Sequence, residues 1–453
     1  MIASATILYH YLRIRYRPRF RSREHLLAWQ NQQVQRHLRR ILPKSPFYQQ
    51  QFGDHSISEW QSAPIIDKAS MMANFDTLNT LGIQKEEAFA VALRAEQSRD
   101  FSPTLDLNLK MKGVTVGLSS GTSGNRGLFI VSPSERYKWA GAILAKVWHR
   151  ATFGLIGQRI AFFLRANSNL YRTIHSRRIH FEYFDLLDAF HQHLTRLNTF
   201  QPTVLVAPPS MLRLLAEAKA NGKLHISPLQ LISVAEVLDP FDEIFIRQQF
   251  AQLIHQVYQC TEGFLASTCR YGTLHLAEDL VAIQKEYLDP HLRKFVPIIT
   301  DFHRTSQPII RYRLDDILTE RATPCPCGTL LTALEQIEGR CDDLFYLRAT
   351  DNPNKWIPIF PDFIRRAIIS TADQTLTAYI ARQLQPDLIE IALTAFDSHL
   401  PAIQAAITLA IEQLCARLGC QMPRIIYTEV AQQTPGRKLK RVERVWRGLE
   451  IRD

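Results

Sequence analysis

At 453 residues, with 46% hydrophobic and 21% charged side chains, the chain has the composition of an ordinary globular protein and the length for two or three domains. That excludes a disordered or fibrous chain, and no apolar run approaches the roughly 20 residues a membrane-spanning helix needs. The net charge of +11 is uneven: from Arg13 to Lys44 nine arginines and one lysine face the single acid Glu24.

That basic segment interleaves Leu26, Trp29, Val34, Leu38 and Leu42 at roughly helical spacing. It is expected to form an amphipathic helix packed on the body with a solvated basic face, with contact to an anionic membrane surface as the alternative. Nucleic acid is not an expected partner. The short apolar run before Tyr9 has its charge after it, unlike a secretory signal, so a cytoplasmic location is expected. Residues 1–110 read as mostly helical, broken at the prolines of LPKSPF and SAPIID. Beyond them apolar strands alternate with helices: strands at Val114–Leu118, Arg159–Leu164, Thr203–Ala207 and Leu229–Val234, helices at Ser210–Asn221 and Asp239–Leu253, and a strand end at His255–Tyr258. Such alternation implies an α/β fold with layered sheets and helices. After Gly339-Arg340 the pattern restarts with a strand in DLIEIALTAF, a long helix ended by Gly419 and a strand in RIIYTEV. The expected division is therefore a large domain of residues 1–338 and a small α+β domain of 339–453.

Between Ser119 and Gly127, seven of nine residues are Gly, Ser or Thr, directly behind an apolar segment. Small residues let backbone N–H groups approach an anion, hydroxyls add donors, and Arg126 adds a permanent charge. This is chemistry for wrapping a polyphosphate, although the Walker A spacing is absent. Further on stand Ser233-Val-Ala-Glu236, Tyr258-Gln-Cys-Thr261-Glu262-Gly263, Arg311-Tyr312-Arg313-Leu-Asp315-Asp316, Gly339-Arg340-Cys-Asp342-Asp343 and Pro435-Gly436-Arg437-Lys438-Leu-Lys440-Arg441.

In this order the six segments resemble the motifs of the adenylate-forming ligases, the superfamily that contains the acyl-CoA synthetases. PIIRYR, LHLAED and CPCG are similar to the phenylacetate-CoA ligase branch. The resemblance implies an enzyme that activates a carboxylic acid as an acyl-adenylate with ATP and Mg²⁺ and passes the acyl group to CoA. An amine or hydroxyl acceptor, or a nucleotide-binding homologue without catalysis, is the alternative. It implies phosphate binding by Ser119, Ser120, Gly121, Thr122, Ser123, Gly124 and Arg126, where the family usually has lysine late in the loop. It implies an adenine pocket at Ala235, Glu236 and Tyr258, an α-phosphate contact at Thr261, and Mg²⁺ on Glu262. Asp316 would take the ribose hydroxyls with Arg313 in support, and Arg340 lies in the interdomain hinge with Asp342 as its pivot. Lys438 is the expected catalytic lysine, with Lys440 its rival. The small domain is expected to swivel. Two of five positions differ from the family's Tyr-Arg-Thr-Gly-Asp, and the hinge lacks the usual glycine-containing continuation.

Seven cysteines, an odd number, argue against a disulfide framework. Cys269, His275, Cys325 and Cys327 have the composition of a structural zinc site, and the phenylacetate ligase branch shows a similar arrangement; four unligated residues are the other reading. Phe129, Trp139, Trp148, Phe153, Phe162, Phe163 and Tyr171 permit an aromatic acid but are expected to be core. Nothing in the sequence fixes the acid or whether the protein is a monomer or a homodimer.

Overall fold

The structure, a computed structural model, describes residues 2–16, 20–101, 104–105, 113–119, 127–148, 157–164, 179–369, 376–395, 399–431 and 439–446. The first hundred residues form helices α1 (Ile2–Arg15), α2 (Arg23–Ile41), α3 (Pro46–Phe52), α4 (Lys68–Ala73), α5 (Phe75–Leu78) and α6 (Lys85–Ser98). Three of these starts have a local cause. The Ser22, Ser45 and Asp67 side chains accept backbone N–H bonds at the starts of α2, α3 and α4, and Pro46 takes the first turn of α3, where its missing N–H costs nothing. Helix α2 buries Leu26, Val34, Leu38 and Ile41 along one face, as its spacing predicts.

A hairpin of β1 (Thr115–Leu118) and β2 (Leu128–Val131) follows, then α7 (Pro133–Val147). The chain next builds β3 (Gln158–Leu164), β4 (Ile179–Asp185), α8 (Phe190–Phe200), β5 (Val204–Ala207), α9 (Pro209–Ala220), β6 (Gln230–Ser233), α10 (Pro240–Phe250) and β7 (Ile254–Cys260). These strands pair in the order β4-β3-β5-β6-β7, all parallel. A parallel sheet carries helices on its faces, so its inner strands β3 and β5 are mainly apolar. Phe163, Leu205 and Leu231 pack with Leu212, Leu215 and Ile246 on one side, and Ile160, Phe162, Val206 and Ile232 pack with Trp148 on the other. The expected helix 239–253 ends at Phe250, because Ala251 adopts a left-handed cap (φ 52°) and Ile254 already belongs to β7.

From β7 the sheet turns antiparallel, through β8 (Gly263–Thr268) and β9 (Leu274–Leu276). It continues with β10 (Ala282–Asp289), β11 (Lys294–Asp301), β12 (Ile309–Arg313), β13 (Asp316–Glu320) and β14 (Ala333–Arg340). The chain divides into two units: residues Met1–Leu314 with Leu318–Gln336, and Asp315–Ile317 with Ile337–Asp453. The second unit contains the hairpin β15 (Phe345–Arg348) and β16 (Trp356–Ile359), helix α11 (Pro361–Ile369), and β17 (Leu376–Gln385), β18 (Leu388–Ala395), α12 (Leu400–Leu418), β19 (Arg424–Glu429) and β20 (Val442–Arg444). Its four-stranded sheet has the order β19-β18-β17-β20. Gly419 caps α12 at φ 69°, a left-handed conformation that glycine adopts without penalty. The fold is α/β, a large layered portion and a small α+β C-terminal portion, in agreement with the sequence.

Candidate functional site

In open parallel sheets, ligands bind outside the carboxyl ends of the strands. Two of the sequence motifs lie there in the first unit. Residues 233–236 leave the end of β6, and Tyr258 to Glu262 run off the end of β7. Ala235 sits at φ 67°, a left-handed conformation costly for a residue with a Cβ, so the surrounding turn imposes it. Glu236 turns back to accept the backbone N–H of Ser210 in the first turn of α9 (3.2 Å), which fixes the segment to that helix. Tyr258 is buried.

Glu262 is also buried, and both its oxygens are held: Thr261 Oγ1 donates to one at 2.8 Å and Tyr312 Oη to the other at 3.0 Å. Each carboxylate oxygen still has a lone pair for a cation. The ends of the Gly/Ser loop are closed by two bonds: Ser119 N–H to Gly127 O and Gly127 N–H to Ser119 Oγ, each 2.7 Å. These bonds close the β1–β2 hairpin at Ser119 and Gly127. Ser120, Gly121, Thr122, Ser123, Gly124 and Arg126 lie outside the described residues. A Cβ placed on Gly127 would come within 3.0 Å of Lys68 Cε, so a lysine of α4 stands at the base of the loop.

Arg304 joins these parts. Its guanidinium donates to Thr261 O at 2.9 Å and to Ile130 O at 3.4 Å, tying the Thr-Glu turn to strand β2. Gln307 clamps the same strand, accepting from Ile130 N–H (2.9 Å) and donating to Leu128 O (3.1 Å). Opposite Arg304 lies buried Glu135, which accepts from Ser132 at the start of α7 and from the N–H and hydroxyl groups of Thr305 and Ser306. Burial opposes its charge, but Arg304 and these donors overcome that and hold the carboxyl below its usual range. Sequence reading missed Arg304, Glu135, Gln307 and Lys68.

Asp301 lies at the end of β11. Burial pushes its carboxyl up to about 6, against the pull of Arg304 and the His303 N–H. Between the ordinary aspartate range and pH 6 the folded chain binds more protons than the unfolded one, so this group's contribution to stability falls as pH rises through that window. Asp301→Asn is therefore expected to raise the melting temperature at pH 7–8 and to lose that advantage as pH falls from about 6 towards 4. Melting curves across this range check it; an advantage that does not change with pH contradicts the assignment.

Arg313 pairs with Glu286 on β10 (2.6 Å). In the second unit Arg340 donates to Asp315 (2.8 Å) and also faces Asp316 and Asp342, and their charges hold its guanidinium above the usual range against the opposing effect of burial. Lys440 pairs with buried Asp343 at 2.8 Å; burial raises that carboxyl, and Lys440 partly restores it. Lys438 lies outside the described residues.

Cys269, His275, Cys325 and Cys327 converge, their ligand atoms all within 4.8 Å of one another. The turn after β8 supplies Cys269, strand β9 supplies His275, and a turn ahead of β14 supplies the Cys-x-Cys pair. Because β9 pairs with both β8 and β14, residues more than fifty apart in sequence meet. The Cys269–Cys325 sulfurs lie 3.7 Å apart and Cys327 Sγ lies 3.4 Å from His275 Nε2. A tetrahedron with zinc–sulfur bonds near 2.3 Å has edges of about 3.8 Å. His275 Nδ1 lies 3.2 Å from Leu331 O, the second hydrogen bond that orients a ligating imidazole. Burial alone would raise the Cys325 thiol; bonds from Thr273, Cys327 and His275 bring it below its ordinary range. Among the candidate aromatics, Phe163 is wholly buried in the sheet core, Phe162 and Trp148 line its other face, Trp139 donates to Gln259 (3.3 Å), and Phe153 and Tyr171 lie outside the described residues.

No protein-family model matches the sequence, and no curated protein matches it. Among solved structures the chain is similar to 2-hydroxyisobutyryl-CoA ligase in the postadenylation state with 2-HIB-AMP: TM-score 0.65 and 16% identity, over 92% of this chain and 88% of that one. The same enzyme with R3-HIB-AMP gives a TM-score of 0.66 at 16% identity, over 94% and 90%. The amide bond synthetase McbA from Marinactinospora thermotolerans gives 0.50 at 13% identity, over 72% and 67%. The fold is that of the adenylate-forming ligases. The ligase fold spans nearly the whole chain, including the portion after residue 336.

Proposed function

We propose that this protein activates a carboxylic acid with ATP as an acyl-adenylate and transfers the acyl group to CoA. The observation that carries the reading is the Arg304 bridge, which joins the Thr261-Glu262 turn at the end of β7 to the hairpin bearing the Gly/Ser loop. Adenylation needs a triphosphate held in place, charge on the α-phosphate neutralised, and the carboxylate in line; positioning and electrostatics supply most of the rate. Ser119 and its neighbours in the loop would hold the β- and γ-phosphates, with Lys68 adding charge at its base. Glu262, oriented by Thr261 and Tyr312, would hold Mg²⁺, which neutralises phosphate charge. Thr261 would face the α-phosphate, residues 235–236 and Tyr258 the adenine, and Asp316 the ribose. Lys438 would supply a second positive charge at the α-phosphate. The segment 339–343, with Asp342 as its pivot, would be the hinge of a swivelling C-terminal domain.

The motifs PIIRYR and CPCG support the phenylacetate-CoA ligase branch. In this reading Cys269, His275, Cys325 and Cys327 hold a structural zinc ion, which couples their folding to metal binding. Elemental analysis is expected to give about one zinc per chain. Cys325→Ser or chelation should lower the melting temperature before pyrophosphate exchange is affected. Metal-free protein of unchanged stability contradicts the zinc assignment.

The likeness to an amide bond synthetase supports a second reading, with an amine as acceptor. ATP–pyrophosphate exchange across a panel of carboxylic acids tests activation. Product mass with CoA or an amine present separates the two acceptors.

A further inference from the structure

Helix α1 is apolar on both sides, and only one side has an explanation. Its inner face packs on α7 at close range: a Cβ on Gly141 would lie 2.7 Å from His10 Cβ and 2.8 Å from Ile7 O. Ile14 joins the core with Ala142 and Phe264. The docking fixes which residues point outward. These are Ala5, Leu8, Tyr9, Leu12 and Tyr16, which at 3.6 residues per turn fall within about 100° of one another. Leu8 is 55% exposed, Tyr9 59%, Leu12 44% and Tyr16 63%. Single exposed apolar residues are ordinary, but a continuous stripe on one rigid helix marks a surface that meets another apolar phase.

Charge identifies that phase. No acid precedes Glu24, while Arg13, Arg15, Arg17, Arg19, Arg21 and Arg23 alternate through the segment. Arg13 and Arg15 flank the stripe, one on each side, at about 80° from its centre. Arg15 also donates to Ala145 O, and Arg23 is paired with Glu278; Arg13 and Arg21 are exposed. Leucines between tyrosines, with arginines at the margins, match a bilayer interface: the leucines enter the acyl boundary, the tyrosine rings sit at headgroup depth, and the arginines reach anionic lipid phosphates and carboxylates. A second copy would bring two acid-free basic segments together, and a nucleic acid would leave the leucines without a role.

We propose that the outward face of α1, flanked by Arg13, Arg15 and Arg21, docks the protein on an anionic membrane surface without crossing it. No described helix is long and apolar enough to cross a membrane. The test is flotation of the full chain with vesicles of phosphatidylcholine alone or with about 30 mol% phosphatidylserine. Binding is expected on the anionic vesicles, at least about tenfold weaker on the neutral ones, and reduced as salt rises. Leu8→Ser with Leu12→Ser, and separately Arg13→Ser with Arg21→Ser, should each weaken binding about tenfold or more. Melting temperatures should be unchanged, since all four side chains point to solvent. If only the arginine pair matters, the attraction is a general one for polyanions, and the proposal fails. It fails equally if no vesicle binds, or if Leu8→Ser with Leu12→Ser instead dissociates a dimer.

Discussion

Lys438→Ala is expected to lower acyl-adenylate formation about 10²–10³-fold, while Lys440→Ala changes it less than about tenfold. The two lysines are two residues apart in one basic run, so charge alone does not separate them. The surroundings of Lys440 do. Lys440 Nζ lies 2.8 Å from Asp343 and 3.9 Å from Glu443, and Asp343 is buried. An ammonium committed to a buried carboxylate is part of the C-terminal unit's own framework. Lys440→Ala should act on stability instead: without its partner, the Asp343 carboxyl, already raised by burial, rises further. The loss should be large at pH 7–8 and shrink as falling pH protonates Asp343. Exchange rates and melting curves for both variants check this. Rate loss with Lys440→Ala and none with Lys438→Ala reverses the assignment.

Glu262→Gln is expected to cost about as much, 10²–10³-fold in kcat/KM for ATP, and to raise the Mg²⁺ concentration needed for half-maximal rate. The amide keeps the shape but offers one neutral oxygen, and its NH₂ meets a hydroxyl that had been donating. Tyr312→Phe removes only one orienting bond, whose ordinary worth of about 1 kcal/mol corresponds to a loss of about fivefold. Magnesium titrations of exchange with both variants distinguish a cation ligand from a structural carboxylate. An unchanged magnesium requirement in Glu262→Gln counts against the ligand role.

The elements best legible in the sequence were those with a strong local cause. Strands β3 and β5 are apolar runs because they are buried on both faces, and α12 stops where Gly419 permits a left-handed turn. The grouping of Cys269, His275, Cys325 and Cys327 was legible from residue types together with the likeness to the phenylacetate ligase branch, although the strand pairing that brings them together was not. The antiparallel strands β10, β12, β13 and β14 mix polar and apolar residues and escaped notice. The supports of the candidate site were invisible for a different reason. Glu135 meets Ser306 across 171 positions, and Arg304 meets Thr261 across 43; no local pattern marks either contact. The left-handed Ala235 carries no signal, because the turn imposes its conformation and a glycine does not announce it. Arg313, expected near ribose or phosphate, pairs with Glu286, an acid that no motif linked to it.

The most direct measurement is ATP–pyrophosphate exchange by the full-length protein against a broad panel of aliphatic and aromatic carboxylic acids, with and without Mg²⁺. Exchange that requires both magnesium and one class of acid, and that falls with Glu262→Gln and Lys438→Ala, is the predicted result. A protein that binds ATP yet supports no acid-dependent exchange with any member of the panel would contradict the account, leaving a nucleotide-binding protein on a ligase fold.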